Sequence, residues 1–378
     1  MDSASIRGFI TLILISIALL LSVFLLTVKT KNKTGNRLMA IYFITFAIHI
    51  SVFFYANYVE VPIVLDRLRD QIAFFASPLL YLYVLSCIYS DFKLQPKHLL
   101  HFIPFAIELF MYFPNFYLAS NEQRILFYEN YYSYPEVKIS LVYGVSVALF
   151  YLVLIFIELR KYRKLLLENY SSTKNYNYKW LFQLAVISVV LLLFSAIKSI
   201  YKLFDSDDAT LDIMRIITTL LLLGFLCWIV LKSMLQPELF RGIDTKHQLV
   251  RTMLENEGNE VDEEDEISTQ INTLKTYMDK EEPFLDSSLT IHNLANQMNI
   301  SYRDLSVLIN HHLKQHFFDF VNGYRIEKAK EILQNPSNKK RTVLEILYEV
   351  GFNSKSSFNT EFKKQTGLTP TQYRRNYW

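Results

Sequence analysis

Two short helical patterns late in the chain carry small polar and basic side chains at a spacing suited to base edges and phosphates in a DNA groove. The first is residues 290–313, TIHNLANQMNISYRDLSVLINHHL. Thr290 can cap a helix whose apolar residues Ile291, Leu294, Ala295 and Met298 fall on one face. Asn299 suits the turn, because Asn tolerates left-handed backbone. Ser301 then caps a second helix, with Leu305, Leu308 and Ile309 turned inward and Arg303, Asp304, Ser306 and Asn310 turned outward. Helix, tight turn and a second helix with a polar outer face is how a recognition helix reaches the major groove.

The pattern recurs downstream. Thr342 opens a helix with Val343, Ile346, Leu347 and Val350 inward, and Gly351 stops it. Asn353 and Ser354 open the next, SKSSFNTEFKKQTG, where Phe358 and Phe362 pack inward while Lys355, Ser356, Asn359, Thr360 and Lys363 face out. Between the motifs, residues 316–334 form a helical run of about 28 Å at 1.5 Å per residue. Major-groove faces one turn apart on one side of a duplex are separated by roughly 34 Å, so the spacing lets both motifs engage DNA. From 290 to 378 there are 13 Lys and Arg against 7 Asp and Glu, a net +6 that suits phosphate contact.

Other chemistries lack their residues. No phosphate-binding loop, dinucleotide fingerprint, paired-histidine zinc motif or nucleophile elbow occurs, so the chain reads as a non-enzyme without a cofactor. His312 and His316 have the i, i+4 spacing of metal ligands, with His311 beside them. They end a recognition helix, where phosphate contact or plain exposure is the better reading, and no metal is expected. Cys87 and Cys227 both lie in apolar runs, which offers no disulfide framework.

The segments IHNLANQM, LSVLIN, FFDFVNGYRIEKAKEIL and above all GFNSKSSFNTEFKKQTGLTPTQYRR resemble the DNA-binding domain of AraC/XylS-type transcription regulators, across residues 274–375. The resemblance implies an all-helical, two-motif domain. Bases would be reached by Arg303, Ser306 and Val307 from the first recognition helix, and by Lys355, Ser356 and Asn359 from the second, with Asn310 and Lys363 on the same faces. Val307 departs from the polar residue usual in the family and is limited to apolar contact, for instance with a thymine methyl. Some AraC-like regulators are similar in carrying a multi-span first half.

The elements that must hold these helices are unusual for a DNA-binding chain. Of 378 residues 51% are hydrophobic, 15% aromatic and 20% charged, and a soluble protein averages about 25% charged. Residues 8–28 are an unbroken apolar run long enough to cross about 30 Å of hydrocarbon, and too long for a cleaved leader. Further spans are expected at 38–58, 71–90, 99–118, 138–158, 180–204 and 212–235, seven in all, with Pro78, Pro104 and Pro114 kinking them. Lys and Arg crowd the first, third and fifth connections and are sparse in the others. The basic connections are therefore expected inside, the amino end outside, and the DNA-binding half in the cytoplasm of a cell with an inner membrane.

Three ionisable residues fall within spans: His49, Glu108 and Lys198. Charge in lipid is costly, so Glu108 and His49 stand as candidates for sensing a signal, or for a bond to a neighbouring helix. The fourth connection, with Tyr128, Tyr131, Tyr132 and Tyr134, reads as an interfacial aromatic belt or a ligand lid. The expected organisation is an all-α chain: a seven-helix membrane sensor domain (1–235), an acidic linker (236–270) and a double helix-turn-helix domain (271–378). Its partners would be promoter DNA, the bilayer and an unknown small-molecule or envelope signal. A homodimer is possible but not required. The competing reading is a membrane receptor or transporter whose last domain is a protein-interaction module.

Overall fold

The computed structural model describes residues 3–29, 32–56, 58–89, 92–172, 178–204, 208–235 and 264–377, and among these the fold is helical with no strand. Most of the expected linker, 236–263, lies outside the described residues. By contact the chain divides into two units, Met1–Leu159 with Asn177–Asp244, and Arg160–Tyr176 with Thr245–Trp378.

The first unit begins with α1 (Ser3–Thr27) and α2 (Lys33–Ile50), which pack along each other. Asn32 caps α2, and its amide donates to the Ser86 carbonyl oxygen at 2.8 Å. Next come α3 (Ile63–Gln71), a 3-10 turn (Ile72–Phe75) and α4 (Ala76–Ile88) as one run. Pro78 lies in the first turn of α4, where its missing N–H costs nothing. The expected third span thus starts at Ile63 and includes Arg67 and Arg69. After α5 (Ile103–Met111) and α6 (Asn121–Glu129) come α7 (Pro135–Asn169), α8 (Tyr178–Leu203) and α9 (Asp208–Leu235).

Six helices among the described residues are long and apolar enough to cross a membrane. The segment expected as the fourth span, 99–118, is helical but not one α-helix. It runs as 3-10 (Pro96–Phe102), α5 and a π turn (Phe113–Tyr117). Pro96, Pro104 and Pro114 sit at the starts of these three pieces, each removing an N–H that a continuous ladder would need. In the tyrosine-rich connection Tyr128, Tyr131 and Tyr134 pack on a buried cluster of Tyr112, Phe116, Phe127 and Val137, while Tyr132 is exposed.

The second unit contains α10 (Glu264–Glu281), α11 (Ile291–Met298), α12 (Tyr302–Val307, continued by a π turn Leu308–His312), α13 (Phe317–Gln334), α14 (Val343–Glu349), α15 (Lys355–Thr366) and α16 (Pro370–Arg375). Two cores form. Leu274 and Met278 of α10 meet Ile291, Leu294, Leu305, Ile309 and Phe317 in one. Ile346, Leu347, Val350, Phe358 and Phe362 fill the other. Helix α13 serves both, giving Phe317, Phe320 and Val321 to the first and Ile326, Ala329, Ile332 and Leu333 to the second.

Candidate nucleic-acid interface

Local chemistry builds both helical pairs as their residues suggest. Thr290 accepts from the Asn293 amide and Ser301 from the Asp304 amide, so each helix of the first motif starts on a side-chain cap. Asn299 between them is left-handed at φ 56°. In the second motif Thr342 and Glu345 form a reciprocal capping box, and Ser354 accepts from the Ser357 amide. Gly351 has φ +87°, and a Cβ there would lie 2.5 Å from the Phe284 carbonyl oxygen. Only glycine satisfies both the dihedral and the space.

The second recognition helix, α15, is open. Lys355, Ser356, Thr360 and Lys363 are exposed and Asn359 is half-buried on the same side. Asn359, Thr360, Lys363, Lys364 and Thr369 line a shallow groove. Lys364 is tied down, donating to Asp319 at 2.7 Å, which raises its pKa. A polar trough runs past Asn310, His311, His312 and His316 to Lys364. No cluster of three or more metal-ligating side chains occurs among the described residues.

The first recognition helix is not open. Ser306, expected to face out, is 1% exposed. The cause is remote in sequence: residues 160–172, which end and follow α7, belong to this unit. Tyr302 donates its hydroxyl to Asn169 Oδ1 at 2.7 Å, and Asn310 donates Nδ2 to the Glu168 carbonyl at 3.4 Å. The same Asn310 amide bonds Ser306, and its Oδ1 accepts from the Phe317 amide at 3.2 Å. Asn310 therefore spends its polar atoms inside the protein. Arg303 and Val307 are half-buried. Burial pushes the Tyr302 hydroxyl up to about 12.

The strap continues. Tyr170 pairs with Thr290 in an isolated antiparallel bridge. Ser171 donates its hydroxyl to the Leu289 carbonyl at 2.7 Å, and Ser172 reaches Asn353 at 3.3 Å. Beneath it lies Arg325 of α13, 1% exposed. Its guanidinium donates to the carbonyls of Phe284 (2.7 Å), Asp286 (2.7 Å) and Ser171 (3.2 Å), and to Asn322 Oδ1 (3.1 Å). Burial lowers its pKa, to about 10, which leaves it a cation at neutral pH. Nothing in residue spacing flags 160–172 as part of this unit. The usable signal was length, since α7 runs 35 residues and a span needs about 20.

The two sensing candidates lie in the other unit and are joined by groups that sequence spacing did not connect. Glu108, 1% exposed, accepts from Arg67 at 3.1 Å and from Ser140 at 2.7 Å. Arg67 also donates to Tyr131 (2.7 Å) and Asp70 (3.0 Å), and its guanidinium sits 3.7 Å from the Tyr112 ring centre. Asp70 in turn lies 3.8 Å from His49 Nδ1. Buried Glu108 and Arg67 and half-buried Asp70 and His49 thus form one continuous line of ionisable side chains.

A family model described as a helix-turn-helix domain matches residues 294–376, from inside α11 to the end of α16. A helix-turn-helix-type transcriptional regulator from the cgkA 5′ region of Pseudoalteromonas carrageenovora is 47% identical over 53 residues, 14% of this chain and 29% of the relative. The regulator YdeC of Bacillus subtilis is 30% identical over 87 residues, 23% of this chain and 29% of its own. The chain thus spans about three tenths of the length of these relatives. The C-terminal domain of AraT, a response regulator from Geobacillus stearothermophilus, is 32% identical, with 28% of this chain and 84% of that one covered and a TM-score of 0.25.

Proposed function

We propose that this chain, which ends in an AraC-type helix-turn-helix domain, is a one-component transcription regulator held in the cytoplasmic membrane by its apolar helices. It binds promoter DNA through both motifs and answers to a signal sensed by residues 1–235, across the linker 236–270 and the DNA-binding residues 271–378. The observation that carries this reading is the open face of α15. Lys355 suits guanine acceptors, Asn359 suits the paired donor and acceptor of adenine, and Ser356 and Lys363 flank them towards phosphate. Arg303, Ser306, Val307 and Asn310 are the corresponding set on α12.

The burial of Ser306 makes the described state the closed one for the first motif, since base contact by α12 requires the 168–171 strap to leave. A signal shifts that balance only by its differential affinity for the closed and open states. The basic residues at the end of α7, Arg160 to Lys164, belong to the DNA-binding unit, which supports placing both on the cytoplasmic side. Selection from random DNA by the full-length protein tests the function: a recovered consensus supports it. Recovery of no consensus, with retention of a specific protein partner instead, favours the receptor or transporter reading. A reporter fused after residue 377 tests the topology, and activity outside the cell ends it.

A further inference from the structure

A cavity of about 360 Å³ lies among α1, α2, α4, α7, α8 and α9, inside the roughly 300–1,000 Å³ range of ligand pockets. Its two ends differ in chemistry. One is lined by Arg7 at the start of α1, Lys198 late in α8, Arg215 early in α9 and His49 at the end of α2. No Asp or Glu lines the cavity among the described residues. Asp212, outside the lining, is shared by Arg7 at 3.4 Å and Arg215 at 2.8 Å, so two guanidiniums divide one carboxylate. Lys198 forms no ion pair among the described residues. Three lining atoms also lack a hydrogen bond: the Thr11 hydroxyl, Arg7 Nε and His49 Nδ1 are buried without one, and Thr11 is 1% exposed. The other end is hydrocarbon, from Leu14, Leu80, Leu152, Ile155 and Leu222.

Cationic groups within a membrane bundle are costly unless something neutralises them, and buried polar atoms without partners add to that cost. An occupant that relieves both must be negative at one end, accept hydrogen bonds there, and be apolar along its length. We propose that this cavity binds an anionic amphiphile, a carboxylate or phosphate head on a hydrocarbon chain, with the head among Arg7, Thr11, Lys198 and Arg215 and the chain against Leu14, Leu80, Leu152 and Ile155. The head then lies beside His49, the first group in the line of ionisable side chains that runs through Asp70 and Arg67 to Glu108. The site stands on its own geometry and rests on the regulator reading only for calling its ligand the signal.

The test is equilibrium binding of radiolabelled laurate to the full-length protein in phosphatidylcholine nanodiscs. Laurate binds saturably at one per chain and is displaced by dodecyl phosphate, but not by dodecanol or dodecyltrimethylammonium. Lys198→Gln weakens laurate about tenfold, as expected for the loss of a charge-assisted bond, and Lys198→Arg restores it. Displacement by dodecanol as effective as by laurate overturns the proposal, as does unchanged binding by Lys198→Gln. So does a lack of saturable binding by monodisperse protein. Mass spectrometry of an organic extract of the purified protein separates a free fatty acid from an anionic phospholipid as the natural source. Gel shifts on the same samples keep the two readings apart. Laurate binding without any DNA binding leaves the site intact and ends the regulator reading alone.

Discussion

On α12, Ser306 is sealed and Asn310 gives its amide to the Glu168 carbonyl, whereas on α15 Lys355, Ser356 and Lys363 stand in the open. Both helices begin on a serine cap and turn two or three apolar residues into a core. Their local sequence code is therefore the same. What differs is a segment more than a hundred residues upstream of α12, which lies over the first helix and touches the second motif through Ser172 and Asn353. A recognition pattern specifies a helix and its inner face, but its availability to DNA is set elsewhere in the chain.

The comparison breaks first at the bases. Lys355→Ala with Asn359→Ala should cost roughly 1–3 kcal/mol for each residue in a gel shift on the selected site, while Ser306→Ala should cost far less as long as the strap stays closed. Equal losses from the two helices would show both to be reading DNA in the resting protein. Arg325→Leu comes next, because it removes the donor to the carbonyls of Phe284, Asp286 and Ser171 together, leaving Asp286 only the Leu289 amide and Ser171 only Asn322; thermal unfolding should register about 3 kcal/mol, and an unchanged transition would show the strap to be unanchored. Asn169→Ala removes the acceptor for Tyr302 and loosens the closed state by about 1 kcal/mol, so DNA affinity should rise roughly fivefold. A fall or no change would mean the strap does not compete with DNA. The smallest effect belongs to Lys363→Ala, which should leave the consensus unaltered and reduce the slope of log affinity against log salt by about 1.

Much of the second unit was legible because its signals are local. The caps at Thr290, Ser301 and Thr342, the left-handed Asn299 and the glycine at 351 each act within a few residues of themselves. Arg325 was counted among the phosphate-facing bases, and it is instead the buried clasp of the domain, a role that depends on three carbonyls from two distant segments, 284–286 and 171. Ser306 was misplaced for the same reason. In the first unit, hydropathy marked the apolar helices, but Arg67 was assigned to a connection because spacing gives no hint of Glu108, Asp70 and Tyr131 converging on it. The prolines of 96–117 were visible; the switch from 3-10 through α to π geometry follows from where each lands in the hydrogen-bond ladder.

One helix feeding two cores leaves no give between the motifs. At 18 residues α13 is about 27 Å long, somewhat less than the roughly 34 Å pitch of B-form DNA. A rod anchored by phenylalanine at one end and isoleucine and leucine at the other cannot stretch to make up the difference. If both motifs hold one duplex, as proposed, the duplex has to yield instead, curving towards the protein between the two points of contact. Base pairs that no side chain touches would then be chosen for pliancy, with flexible pyrimidine–purine steps favoured at the midpoint of the operator.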